Sequence, residues 1–124
     1  MLAASTTVWS QPRVPSRMQF ADITLKIKDD ARREIQEDVN KLTKNPKFFN
    51  IYVQRARTYF PIIERIFREE GVPDDLKYLV IQESALISVA VSSADAVGFW
   101  QFKDFTAKEM GLRVDRIVDE RKNI

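Results

Sequence analysis

The chain has 124 residues, 44% of them hydrophobic, which suits one domain with its own core. Its 20 basic and 18 acidic residues leave a net charge of +2, and the two signs are interleaved, so no nucleic-acid footprint is present. It has no cysteine and no histidine. That excludes a disulfide framework, a thiolate nucleophile, a His base and a structural zinc site, and leaves acid–base chemistry near neutral pH to carboxylates, Lys or Tyr.

The first residues, Met1 to Gln11, are apolar and small but lack the basic start of a signal peptide. They read as the end of a targeting signal or as an unstructured terminus. Residues 1–19 carry Pro12 and Pro15 and no regular period, as a linker does. Ile23, Leu25 and Ile27 then alternate as in a strand, though a lone short strand is not stable by itself. Asp29 and Asp30 precede an amphipathic helix with Ala31, Ile35, Val39 and Leu42 on one side, either aspartate serving as its cap, and Asn45-Pro46 stops it. A second helix is expected over 48–70. Phe49, Tyr52, Ala56, Tyr59, Ile63, Ile66 and Phe67 form its apolar side, Pro61 kinks or breaks it, and Gly71 caps it. Pro73 and Asp74 or Asp75 should start a third helix that runs to about Leu86. A polar loop of small residues follows over 88–98, then a helix from Phe99 or Trp100 to Met110 ended by Gly111, and an irregular tail. No apolar run approaches the length of a membrane span, and no internal repeat is present.

The third helix carries the candidate chemistry. At roughly 100° per residue, Leu76, Leu79, Val80, Leu86 and Ile87 form an apolar stripe with Glu83 in its middle. A carboxylate facing a core or a pocket is costly when charged, so its pKa rises and it can act as a general acid. Two other readings stay open: Glu83 pairs with a Lys or Arg, or it reaches the surface at the helix end. Downstream, Gly98-Phe99-Trp100-Gln101-Phe102 could form an aromatic wall with an amide arm that suits a sugar, or a helix whose aromatics only fill a core.

The run from Tyr59 to Arg121 resembles the lytic transglycosylase family with the lysozyme-like fold, in its membrane-bound type D branch. The similar pieces are Tyr59-Phe60-Pro61-Ile62-Ile63-Glu64, Gly71-Val72-Pro73-Asp74-Asp75-Leu76-Lys77-Tyr78-Leu79 and Gln82-Glu83-Ser84. Ala90-Val91-Ser92, Gly98 to Phe102, Gly111 to Asp115 and Val118-Asp119-Glu120-Arg121 complete the set. The specificity lies in their order and spacing. The resemblance implies Glu83 as catalytic acid–base, Ser84 and Ser92 as hydroxyls that orient its carboxylate, and Gly98, Trp100 and Gln101 as saccharide-binding residues. It departs from the family at Ala85-Leu86-Ile87-Ser88, where many relatives have a glycine-aromatic-asparagine pattern. Asp95 stands where glycine is common, and Phe99 where leucine is.

The fold implied is all-α. Residues 1–28 would be a signal remnant or linker, 29–50 a helical extension, and 51–124 an incomplete lysozyme-like catalytic domain. The family's further helices and its Ala-Tyr-Asn motif do not follow, so the chain is expected to be a fragment with little activity of its own. The implied reaction cuts the MurNAc–GlcNAc β-1,4 bond of peptidoglycan without water, leaving a 1,6-anhydro-MurNAc end. The implied partners are peptidoglycan glycan strands, with no nucleic acid, no cofactor and no metal. The implied location is the periplasm or cell envelope, with attachment to the outer membrane left open. The alternative function is a non-catalytic peptidoglycan-binding or scaffold module.

Overall fold

The computed structural model of the protein describes residues 11–124, so the signal-remnant reading of residues 1–10 lies outside the described residues. Two compact units are present, one ending at Phe49 and one covering Asn50–Ile124. The described residues are mostly helical, with one two-stranded antiparallel sheet. The expectation of an all-α chain is corrected by that sheet. Among the described residues no helix is long and apolar enough to cross a membrane.

In the first unit, β1 (Arg17–Phe20) pairs with β2 (Ile23–Lys26), with Arg17 opposite Lys26 and Phe20 opposite Ile23. Ala21 and Asp22 both have positive φ, 49° and 65°, as a two-residue turn matched to strand twist requires. The strand visible in the alternation of Ile23 and Leu25 thus finds its partner in residues read as linker. α1 (Asp29–Thr43) follows. Asp29 and Asp30 lie inside its first turn, next to the positive end of the helix dipole, and Lys28 holds the cap position without a side-chain bond. The expected aspartate cap is therefore corrected to a first-turn charge effect.

α2 (Pro46–Glu70) starts where sequence chemistry says a helix should start. The Asn45 side-chain oxygen accepts from the Lys47 and Phe48 amides at 3.0 and 3.4 Å, and Pro46 takes the first helical position, where its missing N–H costs nothing. The helix continues through Pro61 without a break. Pro61 is exposed, so the Arg57 carbonyl that loses its partner can be hydrated. Gly71, at φ 69°, ends the helix, and the Val72 amide returns to the Phe67 carbonyl at 2.8 Å.

In the second unit, Ile63 of α2 packs with Val80, Leu86 and Phe99, and Ala56, Tyr59, Phe60, Phe67, Ile81 and Trp100 surround them. Residues 56, 59, 60, 63 and 67 are one stripe at helical spacing. Lys77 is the one charged residue buried among the described residues. Its ammonium donates to Glu64 at 2.5 Å and to Asp74 at 2.6 Å, and lies 5.5 and 5.4 Å from the ring centres of Phe60 and Tyr78. Burial works to lower its pKa, but the two carboxylate bonds outweigh burial and hold it above the ordinary lysine value.

The expected third helix is two pieces. Residues Asp74–Tyr78 form a 3-10 turn, and α3 covers only Leu79–Ser84. Ala85 and Leu86 then adopt left-handed backbone, with φ 53° and 59°, and Leu86 turns into the core. The expected helix from Phe99 is also shorter, because Gln101 is left-handed and Lys103 extended, so α4 begins at Asp104 and ends at Glu109. Gly111, at φ 83°, lets the Leu112 amide bond back to the Ala107 carbonyl at 2.9 Å.

A left-handed non-glycine residue costs about 1–2 kcal/mol, part of which glycine loses again through its freer unfolded state. Ala85→Gly should therefore stabilise the chain by about 0.5 kcal/mol, read as a higher denaturant midpoint at unchanged slope.

Candidate active site

Glu83 lies on α3, and it faces solvent. The buried side of this helix is Val80 and Ser84, one turn apart, while Leu79 and Glu83, also one turn apart, share the outer side. The expected burial of Glu83 in an apolar stripe is corrected. That stripe assumed one uniform helical phase from Leu76 to Ile87. The 3-10 turn before α3 advances by a different angle per residue, and Leu86 reaches the core from left-handed backbone instead of from a helix face. Among the described residues no hydrogen bond or ion pair engages the Glu83 carboxylate. Of the open readings, the one in which it reaches the surface matches the geometry.

The two serines serve their own neighbourhoods. Ser84 is buried and its hydroxyl donates to the Val80 carbonyl at 3.2 Å. The Ser92 hydroxyl accepts from the Ala94 and Ala96 amides at 3.3 and 3.1 Å, a local turn of the loop. Neither is hydrogen-bonded to Glu83.

The loop from Ala90 to Phe102 is held by cross-links that substitute for regular structure. Val91 and Phe102 each bridge to Val97. The Gly98 amide donates to the Ala90 carbonyl at 2.9 Å, and the Gln101 side-chain amide donates to the Ala90 and Gly98 carbonyls at 3.2 and 2.9 Å. Gln101 thus fastens the loop with its N–H groups. Gly98 has φ 87°, and a Cβ on it would lie 1.6 Å from the Arg121 carbonyl oxygen. Glycine is required there by backbone approach. Phe99 is a core residue, edge-on to Tyr59 at 5.0 Å, whereas Trp100 is half-buried against Phe67 at 5.8 Å. Trp100 and Phe102 also line a cavity of about 270 Å³ together with Leu112, Glu120, Arg121 and Asn123. The aromatic run therefore divides between core filling and a cavity wall.

Arg121 is the residue whose part sequence reasoning missed. Its side chain is only 9% exposed. It donates Nε to Asp119 Oδ1 and a terminal nitrogen to Oδ2, each at 2.8 Å, a two-pronged pairing. Its other terminal nitrogen reaches the Phe102 carbonyl at 3.3 Å and the Asp95 carbonyl at 3.5 Å. The Arg121 bonds hold the Asp119 carboxyl below its ordinary pKa, and the Asp119 carboxylate raises that of Arg121. Asp115 is also held low, by the Val118 amide first and then by Arg113 and the Ile117 amide. Only the motif Val118 to Arg121 hinted at this cluster, since a pairing back to residues 95 and 102 has no local signal.

Among the described residues no group of three or more Asp or Glu could hold a metal ion. The arrangement therefore offers one solvent-facing carboxylate, a cross-linked loop and a half-exposed tryptophan.

The family model for the transglycosylase SLT domain matches residues 60–124. The chain belongs to the transglycosylase SLT domain family. It is 31% identical over 90 residues to the membrane-bound lytic murein transglycosylase D of Escherichia coli strain K12, covering 73% of this chain and 20% of that protein. The protein of the same name from Escherichia coli O6:H1 matches to the same extent. The chain thus spans about a fifth of the length of the curated relatives it matches. No solved structure matches.

Gly98→Ala should cost about 3 kcal/mol, because the new methyl meets backbone that cannot move without shifting the Asp119–Lys122 segment; thermal unfolding would show it. Acid should also act through Asp119. A carboxyl held low when folded contributes stability above its unfolded pKa near 4, and that contribution is lost as pH falls through the folded value. Urea titrations from pH 6 to 2 should show stability falling, with a shallower fall in Asp119→Asn.

Proposed function

We propose that the protein acts on peptidoglycan as a lytic transglycosylase, with Glu83 as its acid–base. The observation that carries this reading is the family match across residues 60–124, which includes Glu83, Ser92 and the Gly98–Phe102 segment. The relatives' name, membrane-bound lytic murein transglycosylase D, supports murein as substrate and the cell envelope as location, with membrane association of the whole protein. The finer fold reading is a lysozyme-like arrangement of the unit from Asn50. A solvent-facing carboxylate with no ion-pair partner among the described residues is open to a polymer that could not enter a closed pocket.

The proposed chemistry needs a single carboxyl group, whereas hydrolytic glycosidases generally use two. Protonated Glu83 gives its proton to the bridging oxygen as the bond from that oxygen to the anomeric carbon of MurNAc breaks. The acetamido oxygen of the same sugar shields the developing positive charge. The Glu83 carboxylate then takes the proton of the C6 hydroxyl while O6 bonds to the anomeric carbon. The products are a free hydroxyl on GlcNAc and a 1,6-anhydro MurNAc, and Glu83 ends protonated as it began. Saccharide covering a carboxyl displaces its water, which favours the neutral acid. Trp100 would pack against a sugar face. Gln101, whose N–H groups are already engaged, would offer its carbonyl oxygen. Ser84 and Ser92 would act on the carboxylate by shaping its helix and loop.

Purified sacculi incubated with the whole protein should release fragments with anhydro ends by mass spectrometry, with little product expected from the 124 residues alone. Glu83→Gln should cut their formation at least about a thousandfold while shifting stability by under about 0.5 kcal/mol, as surface substitutions do. Reducing ends would identify a hydrolase instead, and sacculus binding with no product would identify a binding module.

A further inference from the structure

We infer that Arg121 is a positioning residue for saccharide binding: its guanidinium and main chain together clamp the loop 95–102, which presents Trp100 and Gln101. The inference rests on the peptidoglycan reading above. Three separate contacts converge on that loop. One terminal nitrogen of Arg121 bonds the carbonyl of Asp95 at the loop's start and that of Phe102 at its end. The Arg121 carbonyl presses on Gly98 so closely that no side chain fits between them. Asp119, through its two bonds, fixes the plane of the guanidinium that makes these contacts.

The loop needs such a clamp. It contains two left-handed non-glycine residues, Asp95 and Gln101, each above the backbone minimum, so the surroundings must hold them there. Trp100 sits between Phe67 and the cavity shared with Arg121, so a loop that relaxes moves the ring from the cavity wall. Lysine cannot replace this arrangement. A single ammonium lacks the planar fork that meets both carboxylate oxygens on one side and two carbonyls on another.

The test uses the 124-residue chain, its Arg121→Lys and Arg121→Met variants, and two readouts: binding to purified sacculi, and amide hydrogen exchange by segment. Both variants should bind sacculi about tenfold more weakly. Both should exchange the amides of residues 95–102 at least about tenfold faster, with residues 50–70 unchanged. Full retention of binding and of exchange protection in Arg121→Lys would overturn the clamp, because charge alone would then suffice. Weaker binding with unchanged exchange would also overturn it, pointing to direct contact with the glycan. Faster exchange throughout the chain would overturn it in favour of a general stabilising role. A wild-type chain that does not bind sacculi would overturn the peptidoglycan reading alone, and segment-specific exchange would still decide whether the clamp exists.

Discussion

The second unit depends on the reversal of the backbone at Ala85 and Leu86. Two successive left-handed residues end α3 after six residues and drive Leu86 into contact with Ile63, Val80 and Phe99. The Arg55 guanidinium holds the turn from outside by donating to the Ala85 carbonyl at 3.0 Å. Had the helix run on, Leu86 would stand on a different face and the core would lose one of its four buried members. The same reversal leaves Glu83 one residue from the helix end on the side away from the core, and sends the chain into the loop that ends at Phe102. Exposure of the candidate acid and burial of Leu86 are two results of one bend.

Features with local causes were legible in the sequence. Asn45-Pro46 announces a helix start, Gly71 and Gly111 announce helix ends, and the stripe of Ala56, Tyr59, Ile63 and Phe67 announces a buried face. Each depends on residues within one or two turns of each other. The hairpin was legible only in part. Ile23 and Leu25 show the alternation, and Arg17-Met18-Gln19-Phe20 of the opposite strand alternates too, but over only four residues close behind Pro12 and Pro15, too short a run to stand out from a linker.

The errors cluster where the backbone leaves its preferred regions without a glycine to signal it. Ala85, Leu86, Asp95 and Gln101 have side chains that favour right-handed or extended conformations, and each is left-handed. The expected helix to Leu86 and the expected helix from Phe99 both fail at such residues. Two of the four, Ala85 and Asp95, are places where the family resemblance calls for glycine. At both places the chain holds left-handed backbone while carrying a side chain, at some cost in strain. The candidate site residues were identifiable by type, but their environments were not, since the exposure of Glu83 and the bonding of Gln101 follow from those unsignalled turns.

The contact between Gly98 and the Arg121 carbonyl has a consequence for inheritance and for engineering. The two segments interlock at a distance that admits no side chain, so neither can drift independently of the other. A graft of the aromatic loop onto a related scaffold would have to carry the turn at residues 119–122 with it as a single block. Recombination breakpoints between residues 102 and 119 should be poorly tolerated unless both parents share the same geometry. The two pieces, 17 positions apart at their nearest ends, Phe102 and Asp119, behave as one inherited part.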